Sequence, residues 1–162
     1  MSNKTLVSSP PKGLMRWFLR APIFLYRVGL GWMLGERFVL LHHIGRKSGI
    51  ERKTVVETVG HDKSSDIYYI ASGWGRKSQW YQNILATPNI KIQVGRRKLD
   101  VLAEILSPEE GAKMLISYRE QHPFTARELG GFMGIDMFKT DVSELEAIVR
   151  DSVPIIALRP HR

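Results

Sequence analysis

The sequence predicts an α+β fold: a small antiparallel barrel with an amphipathic helix ahead of it and further helices packed outside. Three observations point there. Short runs rich in Val, Ile, Leu and Tyr follow one another with only turn-forming residues between most of them. The helical segments do not alternate regularly with these runs, which argues against a doubly wound parallel sheet. The chain has 162 residues, 43% apolar and 25% charged, the size and composition of one folded core.

Residues 1–12 are polar and carry Ser8-Ser9-Pro10-Pro11, the signature of a disordered lead-in, and the single domain is placed at 13–162. From Lys12 to Val28 the basic residues Lys12, Arg16, Arg20 and Arg27 recur on one side of a helix, with Trp17, Phe18, Phe24, Leu25 and Val28 over much of the rest. Pro22 kinks or divides it. Its arginines make it a poor membrane span and a better surface-lying helix. Gly29, Gly31 and Gly35 end this helix; as a dinucleotide fingerprint their spacing is off by one and no strand precedes them.

Strands are expected at Phe38–Ile44, Lys53–Val59 and Asp66–Ala71, then a short helix at Lys77–Ala86 that stops before Pro88. Two more strands, Ile90–Val94 and Lys98–Leu106, meet at a tight turn of Gly95-Arg96-Arg97. Ser107-Pro108-Glu109-Glu110 is a capping box with proline at the first helical position, so a helix runs from there to about Gln121. Helical pieces at Thr125–Met133 and Ser143–Arg150 precede a last strand, Val153–Leu158, bounded by Pro154 and Pro160.

The chain contains no cysteine, which excludes a disulfide scaffold, thiolate metal sites and a cysteine nucleophile, and fits a cytoplasmic protein. The formal charge of +8 is uneven: Lys and Arg exceed Asp and Glu through residue 100, and the acids prevail after it. The positive field of the first hundred residues would draw an anionic ligand or surface. No nucleic-acid recognition motif accompanies it, so no nucleic-acid partner is expected. No metal site is expected either: His42 and His43 are adjacent, and in a strand they face opposite sides.

Two segments carry candidate chemistry. Gly45-Arg46-Lys47-Ser48-Gly49-Ile50-Glu51-Arg52-Lys53-Thr54 connects two strands and offers four cations, a serine and exposed backbone N–H groups, the needs of a phosphate or carboxylate site. It lacks the first glycine of a Walker loop. Ala71-Ser72-Gly73-Trp74-Gly75 follows a strand, and its small residues allow a flat ligand close to the backbone. Trp74 and Trp80 can stack on a ring or fill a core.

These blocks, together with Trp80-Tyr81-Gln82-Asn83-Ile84-Leu85-Ala86-Thr87-Pro88 and the closing Pro154–Pro160 segment, resemble the deazaflavin-dependent nitroreductase family of the flavin-reductase-like split β-barrel group. The resemblance covers roughly 39–160. It implies coenzyme F420 as cofactor, with FMN on the same fold as the alternative, and hydride transfer to an electron-poor, apolar small-molecule acceptor such as an enone or quinone. By resemblance Arg46, Lys47, Ser48, Gly49 and Arg52 hold the phosphate and acidic tail, and Thr54, Val55 and Val56 line the path to the ring. Ala71, Ser72 and Gly73 border the deazaflavin, Trp80 and Asn83 secure that loop, and Trp74 and Trp32 lie on the substrate side. Ser72 is the candidate catalytic hydrogen-bond donor. A homodimer, peripheral membrane contact through the first helix, and a non-catalytic flavin or lipid carrier stand as further expectations. Val55 stands where family members often have proline, and Ser72-Gly73-Trp74-Gly75 where they often have Ser-x-Gly-Gly. The late tyrosines of the nitro-activating members are not matched in His122-Pro123-Phe124-Thr125-Ala126-Arg127, so nitroimidazole activation does not carry over.

Overall fold

The computed structural model describes residues 24–161. Six strands form a closed barrel: β1 (Phe38–Ile44), β2 (Glu51–Asp62), β3 (Ile67–Ala71), β4 (Asn89–Val94), β5 (Arg97–Ile105) and β6 (Ile155–Pro160). Their order around the barrel is β1-β2-β3-β6-β5-β4, and every pairing is antiparallel. β4 returns to β1 through Leu40–Gln93, Leu41–Ile92 and His42–Lys91, which closes the sheet. The helices are α1 (Gln79–Ala86), α2 (Pro108–Gln121), α3 (Pro123–Met133) and α4 (Val142–Asp151).

The pleat sorts the apolar residues into two cores. Val39 and Leu41, Tyr68 and Ile70, Ile90 and Ile92, Val101 and Ala103, and Ile156 and Leu158 fill the barrel interior. Trp80, Tyr81 and Ile84 join them from α1, whose spacing of one, three and four residues gathers them on one face. The opposite faces of the strands supply Val59, Ile67, Ile155 and Ala157 to a second core, covered by α2 and α4 through Leu115, Leu145 and Val149. β6 serves both cores, so its Ile155-Ile156-Ala157-Leu158 is buried throughout instead of alternating.

Within the described residues the elements expected from Phe38 onward are present, most with shifted boundaries. α2 begins at its capping box: Ser107 Oγ accepts from Glu110 N at 3.2 Å, and Ser107 N donates to Glu110 Oε2 at 3.1 Å. β2 is longer than the expected Lys53–Val59, because Arg52 and Lys53 pair across the hairpin with His43 and His42. A β-bulge between Thr58 and Gly60 then re-aims its second half. The helix expected from Lys77 is divided into a 3-10 turn at Gly75–Lys77 and α1, since Ser78 is extended between them. The last strand runs on to Pro160, which does not stop it: Pro160 stands opposite Val101 at the end of the ladder, where a missing N–H is tolerated.

Of the first helix, only its end lies within the described residues, with a helical turn at 24–27. The lead-in at 1–12 and residues Trp17, Phe18 and Pro22 lie outside them. Tyr26 is buried and donates its hydroxyl to Phe38 O at 3.0 Å, which ties this turn to the start of β1. A Cβ on Gly31 would lie 2.3 Å from the Tyr26 ring, so the chain can return over that ring only as glycine. Among the described residues no helix is long and apolar enough to cross a membrane.

Candidate functional site

The hairpin between β1 and β2 is held by its own backbone. Gly45 N donates to Ile50 O at 2.9 Å, Gly49 N donates to Gly45 O at 2.8 Å, and Gly49 has φ +68°. Ser48 Oγ accepts from Ile50 N at 3.3 Å, so this hydroxyl braces the tip. The tip is also fastened to α1. Asn83 Oδ1 accepts from Arg46 N at 3.1 Å and from Arg46 Nη1 at 3.0 Å, and Arg46 Nη1 donates again to Gln79 Oε1 at 3.0 Å.

Between this hairpin and α1 lies an open cleft of about 510 Å³, bordered by His43, Arg46, Lys47, Ser48, Arg52, Lys53, Thr54, Gln79, Trp80 and Asn83. Its floor is polar and buried. His43 Nε2 is 3.0 Å from Thr54 Oγ1, and His43 Nδ1 is 3.1 Å from Asn83 Nδ2. Burial pushes the His43 pKa below the usual imidazole range, and the Arg52 and His42 charges push the same way. The rim is cationic, and Lys47, Arg52 and Lys53 form no ion pair with a described carboxylate.

Seven of the residues singled out in the sequence thus meet at this cleft: Arg46, Lys47, Ser48, Arg52, Thr54, Trp80 and Asn83. Gly49 turns the hairpin tip. Val55 and Val56 lie further along β2 and do not border the cleft, Val56 packing against the barrel interior. Asn83 secures the basic hairpin rather than the loop after β3, a correction that follows from where its amide oxygen points.

Ala71, Ser72 and Gly73 also stand apart from the cleft. Ser72 is fully buried, and its hydroxyl donates to Gly75 O at 2.7 Å and lies 2.7 Å from Ser78 Oγ. Its N–H donates to Pro154 O at 3.0 Å, anchoring the turn to the approach of β6. Trp74 is half-buried in the same turn, and Trp32 is 47% exposed with the Arg96 guanidinium 5.1 Å from its ring.

Sequence reasoning weighed His43 together with His42 and did not place it in a site, and it did not single out Gln79. Strand alternation puts His43 on the face of Val39 and Leu41, but its partner Asn83 lies on a distant helix. A second polar group, Glu57 with Tyr118 and Arg37, also went unpredicted: the Tyr118 hydroxyl lies 3.4 Å from Glu57 Oε1 and Arg37 Nε 3.5 Å from the same oxygen. Burial pushes the Glu57 pKa up, and Arg37 only partly offsets it.

The geometry defines a barrel with a cationic cleft suited to an anionic ligand, and the comparisons give it a family. Residues 24–130 match the F420H(2)-dependent quinone reductase family. The chain belongs to this family of oxidoreductases that work with the deazaflavin coenzyme F420. Two Mycobacterium tuberculosis proteins carrying the same family name are each 30% identical to it. One alignment spans 90 residues, 54% of this chain and 74% of the relative; the other spans 101 residues, 57% of this chain and 65% of the relative. Among solved structures, an F420-H2 dependent reductase (FDR-A) is similar with a TM-score of 0.53 and 24% identity, over 78% of this chain and 96% of that one. An FMN-binding protein from Nostoc punctiforme, related to pyridoxamine 5'-phosphate oxidase, has a TM-score of 0.50 and 13% identity over 96% of this chain and 82% of its own. These two likenesses show the fold, the split barrel expected from the sequence.

Proposed function

We propose that this protein is an F420-dependent reductase that delivers hydride to an apolar, electron-poor acceptor of the quinone or enone type. The observation that carries the tail site is the set of three cations, Lys47, Arg52 and Lys53, lining a cleft in which none of them forms an ion pair with a described carboxylate. Coenzyme F420 fits this chemistry, because its tail is multiply anionic and charge-assisted bonds to phosphate and carboxylate oxygens are the strong ones. When bound, the coenzyme supplies the hydride; the protein supplies position and polarity.

In this reading Lys47, Arg52 and Lys53 bind the tail directly. Arg46 holds the hairpin in shape, because its guanidinium is already engaged by Gln79 and Asn83. Ser48 and Gly49 set the curve of the tip, while Thr54, Val55 and Val56 lead along β2 toward the ring. The Ala71–Gly73 turn borders the ring, with Ser72 as the residue that fixes the turn, and Trp74 and Trp32 face the acceptor. The exposed apolar residues Phe24, Val28, Trp32 and Met33 support an apolar acceptor arriving from that side.

Titration of the purified full chain with F420 and, separately, FMN tests the reading. Tight saturable F420 binding, with turnover of a quinone by the reduced coenzyme, is expected. A preference for FMN would overturn the cofactor assignment, and binding without turnover of any quinone or enone would favour the carrier.

A further inference from the structure

The cleft floor contains four groups whose hydrogen-bond directions determine one another. Asn83 Oδ1 faces two groups that can only donate, the Arg46 backbone N–H and the Arg46 guanidinium. The amide orientation is therefore fixed, and Nδ2 is the atom turned toward His43 at 3.1 Å. An amide nitrogen can only donate, so His43 Nδ1 accepts and carries no proton. A neutral imidazole with bare Nδ1 is protonated at Nε2, and that N–H points at Thr54 Oγ1, 3.0 Å away. Thr54 Oγ1 accepts, and its own proton has no acceptor among the described residues while the side chain borders the cleft.

We propose that Thr54 is a hydrogen-bond donor to an oxyanion in this cleft, its O–H left for the ligand because Oγ1 accepts from His43, which Asn83 and Arg46 hold as the neutral Nε2–H tautomer. The proposal rests on the reading of the cleft as the site of the coenzyme's anionic tail, and it adds the atom that reads the tail's chemistry. The ligand oxygen in question is of phosphoryl or carboxylate type, since Lys47, Arg52 and Lys53 line the same cleft. A ligand oxygen at this point gains the Thr54 O–H, whereas a ligand N–H can use only the remaining Oγ1 lone pair and leaves that proton unspent, so Thr54 acts on specificity as well as affinity.

The lock has a structural reason to persist. His43 is 2% exposed and faces the cationic Arg52, so the charged imidazolium that would break the pattern is disfavoured. Turning the Asn83 amide would set N–H groups against both Arg46 donors. A threonine hydroxyl left alone can rotate freely; here one lone pair is held by the His43 N–H, which turns the O–H away from the imidazole.

Two measurements on the full chain decide this. Long-range proton–nitrogen correlation spectra of the ligand-free protein at neutral pH should show His43 with a bare Nδ1 and a protonated Nε2. The opposite tautomer, or an imidazolium, would overturn the proposal whatever the protein binds. Thr54→Val keeps the volume and loses the donor, and should raise the dissociation constant for F420 about tenfold, while Thr54→Ser restores it to within about twofold. Wild-type affinity in Thr54→Val would remove the donor role and leave the F420 reading intact. If the wild-type chain binds no F420, the function proposed above fails on its own, and titration of wild type and Thr54→Val with inorganic pyrophosphate decides the donor: equal affinities overturn it, a weaker Thr54→Val supports it.

Discussion

Asn83 and Arg46 are 37 residues apart in sequence, yet one amide oxygen on α1 receives both the backbone N–H and the guanidinium of the hairpin arginine. The cleft therefore has a wall that is locked to its roof, and its basic loop is not a free surface loop. Asn83→Ala would leave these part-buried donors without their acceptor and the buried His43 Nδ1 without its donor. We expect a loss of ~2–3 kcal/mol in stability by urea unfolding, because an orphaned buried polar group costs more than a typical hydrogen bond contributes. Weaker F420 binding should accompany it.

Arg46 and Arg52 should separate by phenotype. The Arg46 guanidinium is spent on Gln79 and Asn83, whereas Arg52 has no ion pair with a described carboxylate. Arg52→Ala is expected to raise the F420 dissociation constant by about tenfold or more with little change in melting temperature. Arg46→Ala should lower the melting temperature as well. Repeating the Arg52 comparison at high salt should shrink the difference, since exposed charges are screened.

Two groups shifted chiefly by burial, His43 and Glu57, should pull stability in opposite directions with pH. His43 has its folded pKa pushed below the unfolded value of 6.5 by burial, so the unfolded chain takes up its proton first. The contribution of its neutral form is fully present above that value and is lost as pH falls toward the folded pKa; the urea midpoint should drop as pH falls below 6.5. Glu57 has its folded pKa pushed up, so its contribution is present below the ordinary carboxylate range and lost as pH rises through the folded pKa. Glu57→Gln should remove that second slope and leave the first.

Two glycines with positive φ predict a graded cost. Gly49 has φ +68° with nothing within 4 Å of an added Cβ, so Gly49→Ala should cost only the backbone penalty, about 1 kcal/mol. Gly75 has φ +72°, and its added Cβ would lie 2.7 Å from Ser152 O. Gly75→Ala should cost about 3 kcal/mol, because the penalty now includes displacing backbone. Equal melting temperatures for the two variants would contradict this account.

The sequence carried the barrel where local signals were strong. Phe38–Ile44 emerges at its expected boundaries, and α2 starts at Pro108, because β-branched and capping-box signals are local and need no partner. β2 was under-read because its charged first residues form strand only when β1 pairs with them. The cationic rim was legible for the same local reason: four cations beside glycines are visible without a fold. His43 was not, since its value depends on Asn83 forty residues later in the chain and on which way that amide faces. Ser72 is the expected hydrogen-bond donor beside the ring, and the engagement of its hydroxyl with Gly75 O and Ser78 Oγ depends on a turn that residue types alone do not reveal.

β6 stands between β3 and β5, although it is the last strand in the chain. A polypeptide emerging from the ribosome can form the β1–β2–β3 meander and the β4–β5 hairpin early, because each is made of sequence neighbours. It cannot join the two along this seam until the final strand arrives. Until then the apolar faces of β3 and β5 that Ile156 and Leu158 later cover lack their partner strand, and two unpaired edges stand open. For this topology the nascent chain carries its aggregation hazard until α2, α3 and α4 have been made and β6 follows them, and the wait ends when β6 zips the sheet shut.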